Sequence, residues 1–294
     1  MVNDDSKDDS VKMIKEFMKE DPRIRLIYND RNRGYLYILI NGILNAKGKY
    51  VMILDVDDLF SVENVLSNVY NEIEKYGLDM LGFAATQGIL DMNTHKYTHT
   101  SFHNYIETSI LNQPELSERT YKKNEKGNIK GCKDAVWGYI LKTDFVIKAI
   151  KEIDDKFLNI TFNHWGDFFL FFLLTKRAKT LKYIKKLFYV TIQKKVAGDS
   201  FENYFTKVKE ESRNKNHCQA ILGYVEFVVS KSDDDVKLAS YLIENLFLNN
   251  DCKRRDHVRE QAISICKLVL ENKYIENQLK DKINSLLKSI NEKK

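Results

Sequence analysis

An apolar run at residues 50–54 leads directly into three carboxylates and limits the fold more than any other segment. A strand without a polar position is typically buried on both faces, as in a sheet that helices cover on each side. Helical spacing flanks this run, over residues 36–46 before it and over residues 62–76 after it, and each helix closes at a glycine. The pattern predicts a strand between two crossover helices.

The same alternation extends through the first 95 residues. A helical pattern over residues 11–18 precedes a short strand at 24–28, and another strand is predicted at 80–84. Strands that alternate with helices predict parallel crossovers and therefore an α/β fold. The polar segment 86–135 predicts loops with a short hairpin, and residues 181–192 predict two short strand-like pieces.

The final third of the chain has a different pattern. From about residue 200 the apolar positions follow helical spacing nearly throughout, for example at Ile221, Tyr224 and Val225. We therefore predict two parts, a sheet-containing domain over residues 1–195 and an all-helical C-terminal region over residues 196–294.

Charge, cysteines and apolar runs exclude several classes of protein. The net charge of +5 is mild, and no nucleic-acid motif accompanies the basic residues, so no nucleic-acid partner is expected. None of the four cysteines forms a Cys-x-x-Cys pair, which disfavours a zinc site or a disulfide framework. Without a signal peptide or an apolar run of membrane-spanning length, we predict a cytoplasmic protein, with peripheral contact at the inner membrane face as an alternative.

The carboxylates Asp55, Asp57 and Asp58 follow the apolar run within four residues. Open α/β sheets bind ligands at the carboxyl ends of their strands. A hard divalent cation relieves the repulsion between such close charges, and Mg²⁺ or Mn²⁺ held there would bridge a diphosphate. The alternative is a strand-to-helix turn in which Asp58 caps the next helix.

Several segments together resemble family 2 glycosyltransferases. The resemblance comprises an Asn-x-Gly loop at residues 32–34, Ala-x-Gly-Lys-Tyr at 46–50, and the Asp-x-Asp-Asp turn at 55–58. Residues 2–10 are similar to the family's Val-Asp-Asp-Gly-Ser turn. The similarity covers about residues 2–190 and implies a GT-A-like, mostly parallel sheet flanked by helices. The family's first strand and first helix have no counterpart here, so we expect an N-terminally incomplete catalytic domain.

The resemblance also implies a donor site. Asn3 and Asp4 would contact the nucleobase of a nucleoside-diphosphate sugar. Asp55 would face the ribose or the metal, and Asp57 would hold Mn²⁺ or Mg²⁺ and, through it, the diphosphate.

On the acceptor side, Asp167 matches the second residue of the family's Glu-Asp pair and is the candidate general base. Its alternative role is to cap a helix. Trp137 and His164 are candidates for the acceptor side, by stacking on a sugar ring and by orienting the acceptor or ligating the metal. A core position for Trp137 and an ordinary loop position for His164 are the alternatives.

The resemblance thus predicts metal-dependent, inverting sugar transfer to a hydroxyl on a glycan, lipid or protein, with self-association left open. The family's Arg-Asn positions are Leu39 and Ile40 here, and the Glu of its Glu-Asp pair is Gly166. These departures keep a second hypothesis, an inactive or truncated homologue that binds glycans or proteins.

Overall fold

The computed structural model describes residues 1–91, 94, 97–103, 108–116, 136–153, 155–158, 166–195, 259–271 and 277–291. Contacts divide the chain into two compact units, residues 1–153 with 165–204, and residues 154–164 with 205–294. All the strands described below, and all the site residues that the structure describes, belong to the first unit.

Three of the helices in the described residues lie close to the predicted segments 11–18, 36–46 and 62–76. The described helices are Ser10–Glu20 (α1), Tyr35–Leu44 (α2), Val65–Tyr76 (α3), Thr143–Ile150 (α4), Asp155–Leu158 (α5), Gly166–Arg177 (α6), Arg259–Leu270 (α7) and Asn277–Asn291 (α8). Helix α1 ends at Asp21 because Pro22 disfavours helical geometry in the residue before it. Helix α3 ends at Gly77, which adopts the left-handed conformation with φ of 60°.

The described strands all fall in the first unit. They are Val2–Asn3 (β1), Ile27–Tyr28 (β2), Tyr50–Met52 (β3), Leu59–Phe60 (β4), Met80–Asp91 (β5), Tyr97–His103 (β6), Leu111–Asn112 (β7), Tyr139–Lys142 (β8) and Thr180–Lys195 (β9). Strands β1 and β2 form a separate parallel pair. The other seven form one sheet in the order β3-β8-β5-β9-β4, with β6 on β5 and β7 on β9.

The alternation of helices and strands confirms the predicted α/β class. The longest ladder is parallel and joins β5 to β9, from Met80 opposite Leu181 to Asp91 opposite Lys195. Strand β8 runs antiparallel between β3 and β5, so β3, β5 and β9 share one direction. Strands β4, β6 and β7 pair antiparallel with their neighbours.

Three strand predictions are corrected by the structure. Residues 181–192 predict two pieces, but β9 is one strand of 16 residues, because its ladder with β5 resumes at Leu187 after an irregularity at Lys185-Lys186. Strand β5 likewise continues past residue 84 to Asp91, where it pairs with β6. Strand β3 is half-buried rather than fully buried, because it lies at the end of the described sheet.

The core of the first unit positions the site. Helices α2, α4 and α6 pack on one another, and α3 packs against β5 and β8. One cluster of buried side chains joins α3 to the sheet and includes Val69, Ile73, Phe83, Phe188 and Tyr189. This packing holds β3, β9 and the start of α2 in place. The loops next to these elements therefore begin at fixed positions.

Candidate functional site

Asp55 and Asp58 begin and end a tight turn between β3 and β4. The Asp58 N–H donates to the Asp55 carbonyl over 3.1 Å, and Leu59 begins β4 immediately afterwards. Helix α3 starts only at Val65, after Asn64. The alternative role of Asp58 as the cap of the following helix is therefore wrong, because a strand follows the turn.

Tyr189 of β9 holds both ends of this turn. Its hydroxyl accepts the Asp55 N–H at 3.1 Å and donates to Oδ2 of Asp58 at 2.9 Å. The N–H of Ile192 donates to the other Asp58 oxygen, Oδ1, at 2.8 Å. Hydrogen bonds to a carboxylate are stronger than those between neutral groups, so Asp58 is firmly attached to β9.

Tyr35, the first residue of α2, reaches the same turn from another direction. Its hydroxyl donates to Oδ1 of Asp55 at 2.9 Å. Burial raises the pKa of Asp55, the Tyr35 hydrogen bond opposes that rise, and the charges of Asp58 and Asp57 add to it. The turn therefore carries more negative charge than its surroundings readily support, which favours a cation.

Asp167 lies near Tyr35. It is the second residue of α6, inside the first helical turn rather than at the cap position, and its negative charge is favourable at that end of a helix. Burial and the charges of Asp55 and Asp167 together raise the pKa of the Tyr35 hydroxyl. Asp167 and Asp55, which are far apart in sequence, thus act on the same hydroxyl.

Asp57 differs from its two neighbours in the turn. It is exposed, and Val56 beside it is fully exposed at 106%. Within the described ranges the Asp57 carboxylate has no hydrogen bond or ion pair. No group of three or more His, Cys, Asp or Glu that would enclose a metal occurs among those residues either.

Asp4 fastens the loop that precedes α2. Its Oδ1 accepts the Asn29 side-chain amide at 2.7 Å and the Arg33 N–H at 2.9 Å, and its Oδ2 accepts the Gly34 N–H at 2.9 Å. Gly34 has φ of 85° and ψ of 170°, a conformation that is essentially restricted to glycine. Asn3 is 9% exposed, and its Oδ1 accepts the Ser6 N–H at 3.2 Å.

The structure describes one of the two acceptor-side candidates, Trp137. Trp137 is partly buried against the core and stacks on Tyr189, with ring centroids 4.6 Å apart and an angle of 22° between the planes. His164 lies outside the described residues.

Two residues of this site were missed at the level of sequence, Tyr35 and Tyr189. Tyr35 directly follows the Asn-x-Gly loop, so its place in that motif was an available signal. Tyr189 had no such signal, because an aromatic residue in an apolar strand is most often part of the core. Its role at the turn depends on sheet register, which places it opposite Phe60 of β4.

The family model described as glycosyl transferase family 2 matches residues 1–172, more than half of the chain. That span includes β1, the carboxylate turn and Asp167.

Curated proteins similar to this chain are also glycosyltransferases by name. Glycosyltransferase GlyG of Streptococcus pneumoniae is 31% identical over 28% of this chain and 27% of its own length. The uncharacterized glycosyltransferase EpsJ of Bacillus subtilis is 26% identical over 53% of this chain and 42% of its own. Dolichyl-phosphate beta-glucosyltransferase of Dictyostelium discoideum is 31% identical over 28% and 26%. The chain thus spans less than half the length of each relative.

Solved structures of TarS from S. aureus resemble this fold. One has a TM-score of 0.58 at 11% identity and matches 99% of this chain and 46% of TarS. Another, TarS 1–349 in complex with UDP, has a TM-score of 0.52 at 12% identity and matches 97% of this chain and 72% of that one. The likeness confirms the predicted GT-A-like architecture.

Within the described part of the chain, no helix is both long enough and apolar enough to cross a membrane.

Proposed function

The chain belongs to glycosyl transferase family 2, and on this basis we propose that it transfers a sugar from a nucleoside-diphosphate donor to a hydroxyl acceptor, with a divalent cation and inversion at the anomeric carbon. The observation that carries this proposal is the position of Tyr35, whose hydroxyl binds Asp55 and lies within the field of Asp167. A donor-side carboxylate and a candidate base therefore have one neighbour in common. Group transfer between two bound substrates needs such proximity.

Asp57 and Asp55 would hold the cation, Mn²⁺ or Mg²⁺. Mg²⁺ commonly keeps several waters and is bound by one or two carboxylates together with substrate phosphates. An exposed Asp57 beside an Asp55 whose pKa is raised fits such an open donor set, which does not need a cage of three protein ligands. A bound cation would neutralise the charge that develops on the leaving diphosphate.

Asp167 would accept the proton from the acceptor hydroxyl as that oxygen attacks the anomeric carbon. It lies in the first turn of α6, where the helix N-terminus favours a negative charge. Attack from the face opposite the diphosphate would invert the configuration of the sugar.

Asn3 and Asp4 are proposed for the nucleotide side. Asp4 would act there both directly and through the loop that it fastens, because its three hydrogen bonds fix residues 29–34 beside the start of α2. The TarS structure in complex with UDP makes uridine nucleotides the first donors to examine.

Trp137 and His164 are proposed for the acceptor side, where the acceptor is a hydroxyl on a glycan, a lipid or a protein. Trp137 is partly buried and one face of its ring stacks on Tyr189, so contact with a sugar would use another part of the ring.

The experiment that tests this function measures nucleoside diphosphate released from a panel of nucleotide sugars, with glycan and lipid acceptors. Release is expected with Mn²⁺ and an acceptor, and it should stop when a chelator is added. A folded chain that releases no nucleotide from any donor, with either cation, would contradict the proposal.

A second candidate is a binding module that has lost catalysis. It is favoured by Leu39 and Ile40, which are 6% and 2% exposed and pack in the core where the family often carries Arg-Asn. One experiment distinguishes the two functions. A binding module would bind a glycan or protein ligand but would turn over no donor.

A further inference from the structure

Tyr189 forms hydrogen bonds with both ends of the carboxylate turn. Its hydroxyl accepts the N–H of Asp55, the first residue of the turn. The same hydroxyl donates to the side chain of Asp58, the last residue. One oxygen atom of β9 therefore ties the two ends of the turn together.

The ring that carries this hydroxyl is rigidly held. Tyr189 is 0% exposed, stacks on Trp137 and meets Phe60 edge-on at 6.3 Å. Its backbone is in register with Ala85 of β5 and with Phe60 of β4. Burial of the ring among these neighbours restricts its movement and so holds the hydroxyl at the turn.

The three carboxylates of the turn are consequently not equivalent. Both oxygens of Asp58 accept hydrogen bonds from β9, one from Tyr189 and one from the Ile192 N–H. Asp57 is exposed at the outside of the turn. Asp58 thus serves as an anchor to the sheet, and Asp57 and Asp55 are the carboxylates presented to a ligand.

We propose that Tyr189 is a positioning residue for the cation, and that its hydroxyl, with Asp58 as its acceptor, fixes the turn in the form that presents Asp57 and Asp55. This inference rests on the proposed function for the cation itself. A turn that is ordered before binding avoids the entropic cost of ordering it at the moment of binding. Partners that orient metal ligands in this way typically change metal affinity about 10- to 100-fold when removed.

Tyr189→Phe removes the hydroxyl and keeps the ring in its stack with Trp137. Tyr183→Phe is a matched control on the same strand, because it removes another buried hydroxyl, one that is bonded to the Tyr139 hydroxyl at 2.7 Å. The readouts are Mn²⁺ affinity by calorimetry in the presence of UDP, the melting temperature, and amide hydrogen exchange at residues 55–58.

The two variants should melt at similar temperatures, but only Tyr189→Phe should weaken Mn²⁺ binding, by about 10- to 100-fold. If donor turnover is measurable, its half-saturating Mn²⁺ concentration should rise while kcat at saturating Mn²⁺ is retained. Exchange at the Asp55 amide should accelerate in that variant alone. In an Asp58→Asn background, Tyr189→Phe should have a smaller effect, because the two substitutions disrupt the same contact.

Unchanged exchange and unchanged Mn²⁺ affinity in Tyr189→Phe would overturn the inference, as would equal losses of affinity in both variants. Failure of the proposed function gives a different result. In that case the unmodified chain binds no Mn²⁺ with UDP although Tyr189→Phe still accelerates exchange, and the role of Tyr189 in cation binding falls with it.

Discussion

The Tyr35 hydroxyl donates a hydrogen bond of 2.9 Å to Oδ1 of Asp55, which links the start of α2 to the turn after β3. Tyr35 directly follows the Asn-x-Gly loop and lies 20 residues before Asp55, so this one contact joins that loop to the carboxylate turn. The charge of Asp167 also raises the pKa of this hydroxyl, so the third motif lies within electrostatic reach of the same contact.

Asp55→Asn is expected to stabilise the chain at neutral pH in the absence of metal. Burial raises the folded-state pKa of Asp55 above its ordinary value of 3.8, so the folded state binds the proton more tightly than the unfolded state does. Stability therefore falls as pH rises through the window between the two pKa values, and the penalty is complete above it. The asparagine variant should melt higher than the unmodified chain at pH 7, and the difference should vanish at acid pH below 3.8.

That variant should also lose the stabilisation that Mn²⁺ gives to the unmodified chain. A melting temperature that is lower for Asp55→Asn at pH 7 would show that this carboxylate stabilises the fold instead of straining it.

Asp4→Asn is expected to destabilise the chain by about 1–3 kcal/mol, because an amide cannot replace all three hydrogen bonds that the carboxylate accepts. Urea unfolding measures the change. Asp5→Asn is the matched control, since the Asp5 carboxylate bonds only to Lys7 among the described residues. Equal stability of the two variants would contradict the role of Asp4 in fastening the loop.

Gly34→Ala should cost about 1–3 kcal/mol, since a Cβ is strained at φ of 85° and ψ of 170°. It should also weaken UDP binding, because the Gly34 N–H bonds to Asp4 and the next residue is Tyr35. Gly77→Asn is the comparison, because Gly77 at φ of 60° and ψ of 38° lies in a region that asparagine tolerates. UDP affinity that is the same in both variants would argue against coupling between the loop and the donor.

Asp167→Asn is expected to lower kcat about 10²- to 10⁴-fold, the usual contribution of a general base, while leaving Mn²⁺-dependent UDP affinity in place. The measurement is steady-state release of nucleoside diphosphate alongside calorimetric binding. Asp144→Asn provides the control, because Asp144 also lies in the first turn of a helix but is exposed in α4. If Asp167→Asn retained full turnover, another group would have to be the base.

The sequence predicted this fold well where local patterns are strong. The apolar spacing of α1 and α3 matches the helical period, and Gly77 can adopt the left-handed backbone conformation that ends a helix. The structure agrees with both predictions. The length of β9 was not predictable in this way. Its Lys185-Lys186 pair looks like a break in isolation, but the ladder with β5 continues on both sides of it.

The same distinction between local patterns and long-range contacts applies to the residues of the site. Motif order and spacing indicated Asp55, Asp57 and Asp167 as candidates, since those residues lie in segments with recognisable signatures. The roles of Tyr35 and Tyr189 arise only when distant segments come together, through hydroxyl contacts that no local pattern encodes. A search limited to charged residues would miss the groups that hold the carboxylates in place.

The proposed function depends on a cation-dependent nucleotide site at the carboxylate turn. The most direct test is calorimetric titration of UDP into the unmodified chain and into Asp57→Asn, with the other nucleoside diphosphates as a panel. We expect one nucleotide to bind only with Mn²⁺ or Mg²⁺. This binding should disappear in Asp57→Asn, although that variant should melt like the unmodified chain because Asp57 is exposed. Nucleotide binding that is equal in both chains, or that is independent of the cation, would contradict it.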